Sequence, residues 1–175
     1  MSQRGCKSRH VQNIPPLARF MVKVGDKAPD FTLKNVTKEA VTLSDYYGKT
    51  VVLAFYPGAF TGVCDQEMCA FQEKLANLSD CNAIVFGISV DSPWANAEFA
   101  RRYNLDFELL SDLDREVVEL YDAKFVGLGG LEGYVSANRA VIIIDSQGIV
   151  QYRWIADNPG IEPDYDEVVS QCEAA

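Results

Sequence analysis

Residues 51–64 read Val-Val-Leu-Ala-Phe-Tyr-Pro-Gly-Ala-Phe-Thr-Gly-Val-Cys, an apolar run that ends in a Pro-Gly turn. The run has no polar alternation and is rich in β-branched and aromatic residues, which is typical of a strand covered on both faces. Apolar residues recur at helical spacing beyond the turn. The stretch therefore predicts a central strand, a short loop, and a helix that begins near Thr61 and carries Cys64 in its first turn.

Two further apolar runs, residues 83–90 and 140–145, have the same character and predict two more central strands. Gly148 is expected to turn the chain into an antiparallel partner at 149–154. Residues 31–36 and 41–43 resemble a small hairpin at the start of the domain. Helices are expected between the strands, at residues 64–78, from Ser92-Pro93 onward, at 115–121 and at 164–173.

The intervening segment 122–138 carries four glycines and is interpreted as an irregular surface loop. Its glycine spacing does not match a dinucleotide-binding fingerprint. Strands that alternate with helices and end in a hairpin predict the α/β class, with one central mixed β-sheet flanked by helices.

The 175-residue chain fits one domain, and its formal charge of −9 is unevenly distributed. Residues 1–23 contribute +5 and the remainder −14. An acidic body disfavours nucleic acid or an anionic membrane as partner. With no apolar run long enough to span a bilayer and no secretory signal, a cytoplasmic protein is expected. Residues 1–21 are interpreted as a basic, disordered N-terminal extension to a domain at 22–175; alternatives are residues upstream of a natural start at Met21, or a targeting leader.

Five cysteines, an odd number, are present at positions 6, 64, 69, 81 and 172. No Cys-x2-Cys pair exists, and the only histidine is His10, so zinc-finger spacing is absent and no metal site is expected. Cys64 is the candidate for chemistry, because the amide groups and dipole at a helix N-terminus lower the pKa of a thiol, and the thiolate is the reactive form. The alternative from periodicity alone is a core cysteine at the head of the apolar stripe.

The pattern Pro57-x-x-x-Thr61-x-x-Cys64 resembles the active-site motif of the peroxiredoxin family. The segments Gly25–Phe31 and Asn138–Asp145 resemble that family's opening segment and its later arginine-bearing strand, so the likeness extends over residues 22–173. The resemblance implies a thioredoxin-like fold. It also implies a cofactor-free thiol peroxidase that reduces hydrogen peroxide and alkyl hydroperoxides through a Cys64 sulfenic acid.

The resemblance also assigns roles to matching positions. Pro57 would shield the sulfur from water, and Thr61 with the backbone N–H of Cys64 would hold the peroxide oxygens. Arg139 would bind the peroxide and stabilise the thiolate, since a guanidinium combines several donors with a permanent charge. Glu67 would orient Arg139. Taken alone, Arg139 would be a surface ion-pair partner and Glu67 a solvated helix carboxylate.

The spacing of Cys64 and Cys69 resembles the bacterioferritin-comigratory-protein subgroup, in which the second cysteine resolves the sulfenic acid as a disulfide. Positions i and i+5 of an intact helix have Cα atoms about 8.6 Å apart, beyond the roughly 7 Å reach of a disulfide. The first helical turns are therefore expected to unwind. The motif also resembles one-cysteine alkyl hydroperoxide reductase E proteins, in which an external thiol would act. Cys81 is a further alternative resolving thiol, Cys172 is expected to pack, and Cys6 is interpreted as incidental.

The expected partners are a hydroperoxide and a thioredoxin- or glutaredoxin-like reductant, in a monomer or homodimer. Two other functions stay open: a thiol–disulfide oxidoreductase, which the absence of Cys-x2-Cys disfavours, and a redox-sensing or chaperone-like module, which the complete set of motif residues disfavours.

Overall fold

The computed structural model describes residues 21–61, 70, 73 and 83–175. We label the elements whose bounds it gives in chain order. The strands are β1 (Thr32–Asn35), β2 (Ala40–Thr42), β3 (Thr50–Phe55), β4 (Ala83–Ser89), β5 (Glu108–Ser111), β6 (Lys124–Val126), β7 (Val135–Ala137), β8 (Ala140–Ile144) and β9 (Val150–Ile155). The helices are α1 (Pro93–Tyr103), α2 (Glu116–Leu120) and α3 (Tyr165–Ala174), with 3-10 turns at Leu43–Tyr46 and Leu128–Gly130.

Seven of these strands form one mixed sheet in the order β2-β1-β5-β4-β3-β8-β9. The three strands β3, β4 and β5 are parallel, and the remaining pairings are antiparallel. The expected hairpin near the start of the domain is β1 and β2, and the expected partner after Gly148 is β9. The predicted α/β class with a central mixed sheet is therefore confirmed.

The centre of the sheet is buried on both faces, as the three unalternating apolar runs predict. No residue of β3 except Thr50 is more than 1% exposed, and β8 is fully buried. Alternate residues of these strands enter two separate apolar clusters: Leu53 and Ile142 belong to one, Val52 and Ile143 to the other. Helix α2 covers the first cluster, whereas α1 and α3 cover the second. The apolar runs thus fix the middle layer of a three-layer molecule.

Helix α1 begins where Ser92-Pro93 predicts it. The Ser92 side chain accepts a hydrogen bond from the backbone N–H of Ala95 at 3.3 Å, and Pro93 occupies the first turn. Helices α2 and α3 also lie within a residue or so of their predicted ranges. The helix predicted at 64–78 lies largely outside the described residues, although Ala70 and Glu73 are helical.

The interpretation of residues 122–138 as an irregular surface loop is wrong. β6 and β7 pair within it as a two-stranded antiparallel ladder, and Ser136 and Ala137 are fully buried. The glycines lie between the two strands, where Gly127, Gly129, Gly130 and Gly133 have positive φ angles. The glycine-rich stretch therefore forms the turn of a hairpin whose second strand leads into β8.

Among the described residues, no helix is both long and apolar enough to cross a membrane.

Candidate active site

One edge of the central sheet brings together the sequence-predicted residues that the structure describes. Phe55, the last residue of β3, pairs with Ala140, the first residue of antiparallel β8. Pro57 therefore leaves the sheet close to the point where Arg139 enters it. Parallel β4 ends at the same edge, since Ile88 pairs with Phe55. Loops at the carboxyl ends of parallel strands commonly carry binding sites in such sheets.

The loop at residues 57–61, which we call the motif loop, is folded back on itself. Pro57 and Gly58 are buried, whereas Thr61 is exposed. The Thr61 hydroxyl donates a hydrogen bond to the carbonyl oxygen of Gly58 at 2.9 Å. Phe60 has a φ angle of +62°, and its ring meets the edge of Phe99 with centroids 5.3 Å apart. The loop thus turns sharply between β3 and the segment that contains Cys64.

Asp91 binds the motif loop from the neighbouring strand end. Its Oδ2 accepts a hydrogen bond from the backbone N–H of Ala59 at 2.8 Å, and a second from the hydroxyl of Ser89 at 3.0 Å. The Ser89 oxygen in turn accepts the backbone N–H of Asp91 at 3.1 Å. A carboxylate just beyond β4 therefore links the motif loop to the end of that strand.

A buried polar network lies beneath this contact and continues into helix α1. The side chain of Asn96 is fully buried; its Oδ1 accepts the Tyr56 hydroxyl at 2.8 Å and its Nδ2 donates to Ser111 at 3.1 Å. Ser89 also lies 3.3 Å from Asn96 Oδ1. Because buried polar groups are costly unless paired, this network fixes the ends of β3, β4 and β5 relative to α1.

Arg139 is the largest fully buried side chain among the described residues, with 1% of its surface exposed. Its Nε donates to the carbonyl oxygen of Pro159 at 2.6 Å, and its backbone carbonyl accepts the N–H of Ala156 at 2.9 Å. The side chain of Asn138 joins the same two segments: Oδ1 accepts the Arg139 N–H at 2.9 Å and Nδ2 donates to the Ala156 carbonyl at 2.7 Å. Arg139 is therefore not a surface ion-pair partner but a buried guanidinium oriented by the segment after β9.

The sequence predictions for Cys64, Cys69, Glu67, Cys81 and Cys6 concern positions outside the described residues. The fifth cysteine, Cys172, lies on α3 and is 2% exposed. It packs in the second apolar cluster with Val168, Val169 and Tyr165. The prediction that Cys172 packs in the core is confirmed.

Asp112 follows β5 and is 1% exposed. Burial raises the pKa of its carboxyl, and hydrogen bonds from the backbone N–H groups of Val118, Val117 and Glu116 oppose that rise. The bond from Val118 is 2.8 Å long. These donors belong to the first turn of α2, so Asp112 is engaged in fixing that helix.

Within the described part of the chain, no cluster of three or more His, Cys, Asp or Glu side chains is arranged to hold a metal ion.

The AhpC/TSA family pattern matches residues 24–153, which span Pro57, Thr61, Cys64 and Arg139. The chain belongs to the AhpC/TSA family. A putative peroxiredoxin Bcp from Coxiella burnetii is 38% identical over 133 residues, which cover 76% of this chain and 88% of that relative. Peroxiredoxin Bcp from Bacillus subtilis is 34% identical over 133 residues, 76% of this chain and 85% of that relative. This AhpC/TSA member is accordingly a peroxiredoxin, a thiol-dependent peroxidase of the oxidoreductase class.

Solved peroxiredoxin structures have the same fold. Peroxidoxin BcpB from Mycobacterium tuberculosis superimposes with a TM-score of 0.76 at 29% identity, covering 87% of this chain and 97% of that one. A peroxiredoxin-like protein from Aquifex aeolicus gives a TM-score of 0.78 at 30% identity, covering 88% of each chain. The thioredoxin-like fold that the motif implied is therefore confirmed for this peroxiredoxin.

The motif resemblance predicts roles for Pro57, Thr61 and Arg139 but none for Asp91 and Asn138, whose side chains bond the backbone of Ala59 and of Arg139. The only local signal for Asp91 is its position after the apolar run at 83–90, where a polar residue ends a parallel strand. Asn138 precedes Arg139 in the segment that resembles the family's arginine-bearing strand, and the sequence alone indicates no role for it.

Proposed function

We propose that the protein reduces hydrogen peroxide and small alkyl hydroperoxides, with Cys64 as the attacking sulfur. The Cys64 thiolate attacks the terminal peroxide oxygen, the O–O bond breaks, and the leaving oxygen takes up a proton and departs as water or an alcohol. Cys64 becomes a sulfenic acid. Two electrons thereby pass from the sulfur to the peroxide, and no cofactor is required.

One observation carries this proposal: a buried guanidinium lies at the sheet edge from which the motif loop leads to Cys64. A guanidinium group keeps its positive charge even when it is buried. A fixed positive charge in a site that excludes water favours a nearby thiolate over the thiol. It also stabilises the negative charge that develops on the leaving oxygen. The position of Arg139 thus supports both the ionisation of the nucleophile and the cleavage step.

Thr61 and Pro57 are proposed to complete the site. The Thr61 hydroxyl donates its hydrogen to the Gly58 carbonyl, so towards a hydroperoxide its oxygen would act as the acceptor of a hydrogen bond from the O–H group. Pro57 has no N–H group and is buried, which suits a residue that keeps water from the sulfur. Glu67 is proposed as a partner that orients Arg139.

Cys69 is proposed to resolve the sulfenic acid. Its thiol attacks the Cys64 sulfenic sulfur, water leaves, and a Cys64–Cys69 disulfide forms. A thioredoxin- or glutaredoxin-like dithiol protein then reduces this disulfide by exchange. The two relatives named Bcp support this subgroup over the one-cysteine subgroup.

We propose that the protein acts in the cytoplasm as a monomer or homodimer, without nucleic acid or membrane as partner.

The proposal is tested by stopped-flow oxidation with one equivalent of hydrogen peroxide, followed by disulfide mapping. Wild type should be oxidised rapidly and form the Cys64–Cys69 linkage, whereas Cys64→Ser should not react. Cys69→Ser should keep the first oxidation but lose donor-dependent turnover. Cys172→Ala is the matched control, because that cysteine packs in the core; it should behave as wild type.

Peroxide turnover that persists in Cys64→Ser would overturn the proposed peroxidase function. Full donor-dependent turnover by Cys69→Ser would show that an external thiol, or Cys81, resolves the sulfenic acid.

A further inference from the structure

Asp91 lies outside the motif loop, and its side chain is hydrogen-bonded to the backbone of that loop. Its Oδ2 lies 2.8 Å from the N–H of Ala59, in the middle of the loop. This N–H lies between Pro57 and Thr61, two residues proposed to shape the peroxide site. A shift of the Ala59 amide would therefore move both.

The Asp91 carboxylate also faces Gly58, the residue before Ala59. A Cβ placed on Gly58 would lie 3.4 Å from Asp91 Oδ2 and 3.5 Å from Thr61 Cγ2. Those distances are ordinary van der Waals contact. Asp91 and Thr61 therefore lie on the same side of Gly58, within one methyl group of its backbone.

Asp91 is itself held in place by groups that cannot move easily. Its Oδ2 and its backbone N–H both contact the hydroxyl oxygen of Ser89, which is fully buried. Ser89 is part of the network through Asn96 into α1. The motif loop is thus anchored, through one carboxylate, to the rigid part of the molecule.

We propose that Asp91 is a positioning residue for the peroxidase reaction, holding the motif loop through the Ala59 amide so that Thr61 and Pro57 are correctly placed at Cys64. This inference rests on the proposed function. It assigns Asp91 no contact with the peroxide and no role in proton transfer.

The charge of Asp91 cannot be its contribution to the chemistry. A carboxylate near a thiol raises the pKa of that thiol, because like charges disfavour the ionised form. A negative charge beside the site therefore opposes formation of the thiolate. What Asp91 supplies is a well-placed oxygen acceptor, and an asparagine can supply the same oxygen.

The test compares second-order rate constants for the first oxidation by hydrogen peroxide in three variants at one pH. Asp91→Ala removes the acceptor and should slow oxidation by about tenfold or more, since small displacements of reacting groups carry penalties of that order. Asp91→Asn keeps an oxygen for the Ala59 amide and should react within about threefold of wild type.

Asp145→Ala is the matched control. Asp145 also accepts backbone N–H groups of a loop, those of Gln147 and Ile149, but at the opposite end of the sheet, beyond β8. It should lose stability and retain the wild-type rate constant at a temperature where it is folded. Ser89→Ala removes the hydroxyl that holds the carboxylate. It provides the same test, with a slower oxidation expected, should Asp91→Ala fail to fold.

The inference is overturned if folded Asp91→Ala, or Ser89→Ala in its place, is oxidised as fast as wild type. It is equally overturned if Asp91→Asn is as slow as Asp91→Ala, because the charge and not the acceptor would then matter. A wild-type protein that does not react with peroxide would instead refute the proposed function, so the two failures are distinguishable.

Discussion

At the scale of single residues, Arg139 depends on shape as much as on charge. Its Nε is engaged by the Pro159 carbonyl, which sets the plane of the guanidinium group. A lysine has the same charge but places all its donors on one nitrogen, so it cannot bond the Pro159 carbonyl with one nitrogen and aim two others, in a fixed plane, at a peroxide in the proposed site. The geometry of Arg139 is therefore a property that charge alone does not reproduce.

Arg139→Gln and Arg139→Lys should both lower the rate constant for peroxide oxidation by about 10²-fold, the usual effect of removing a donor from a developing negative charge. Arg139→Gln should also raise the pKa of the Cys64 thiol. Stopped-flow kinetics across pH measures both quantities. Arg153→Gln is the control, since Arg153 lies on β9 and contacts Asp122 at 3.3 Å. Wild-type kinetics in Arg139→Lys would show that charge suffices.

The resemblance of the spaced motif predicts roles for Pro57 and Thr61, and the resemblance of the segment Asn138–Asp145 predicts one for Arg139. Asp91 and Asn138 could not be found that way. Aspartate and asparagine are common wherever a strand ends. Their roles depend on which backbone segment their side chains contact in the folded protein. Asp91 accepts the N–H of Ala59, and Asn138 donates to the carbonyl oxygen of Ala156. That information belongs to tertiary structure.

At the scale of elements, the turn between β8 and β9 depends on one carboxylate. Asp145 accepts the backbone N–H groups of Gln147 at 2.8 Å and Ile149 at 2.9 Å, and the side-chain amide of Gln151 at 2.6 Å. Burial alone would raise the pKa of Asp145, but these donors and the N–H of Gly148 together hold it below its ordinary value. The ionised form is therefore favoured in the folded protein.

Asp145→Ala should lower the free energy of unfolding by about 1.5–3 kcal/mol at pH 7, the usual contribution of hydrogen bonds to a charged group. The pKa of Asp145 is depressed on folding, so its stabilisation is present above the unfolded pKa of about 4 and is lost as the pH falls further. Urea unfolding at pH 7 and pH 3 should show a smaller difference at pH 3. Asp145→Asn should be milder at pH 7, because its oxygen can still accept the loop amides. An equal difference at both pH values would contradict the charge contribution.

The sequence predicted the long apolar strands and the β1–β2 hairpin, but it did not predict β5, β6 or β7. β5 has four residues, and only its register with β4 and β1 makes it a strand. β6 and β7 have three residues each and flank glycines, so their composition indicated a loop. Such short strands form because a neighbouring strand is available for hydrogen bonding. The residue pattern within the short strand contains no information about that neighbour.

At the scale of the whole molecule, β8 connects two apolar cores. Ile142 packs in the first cluster and Ile143 in the second, and both are fully buried. A substitution in either core therefore disturbs the packing of β8, which pairs with β3 and β9. The two cores should therefore unfold together.

Ile142→Ala and Ile143→Ala should each lower the free energy of unfolding by about 2–5 kcal/mol, the range for truncating a buried isoleucine. Each variant should unfold in one transition that coincides by tryptophan fluorescence and far-ultraviolet circular dichroism. Two separate transitions in either variant would show that the two faces of the sheet behave as independent units. Ile161→Ala is the control, since Ile161 is exposed, and it should leave the free energy of unfolding nearly unchanged.

The bond from Arg139 to Pro159 has a consequence for how such chains can diverge. The acceptor is a main-chain oxygen, which every amino acid possesses, so drift in the identity of residue 159 leaves the atom in place. An inserted or deleted residue anywhere between Ala156 and Gly160 would displace it. The segment is therefore constrained in its number of residues and in its backbone conformation, and not in the identity of residue 159. A comparison of residue types among related sequences would not reveal this constraint.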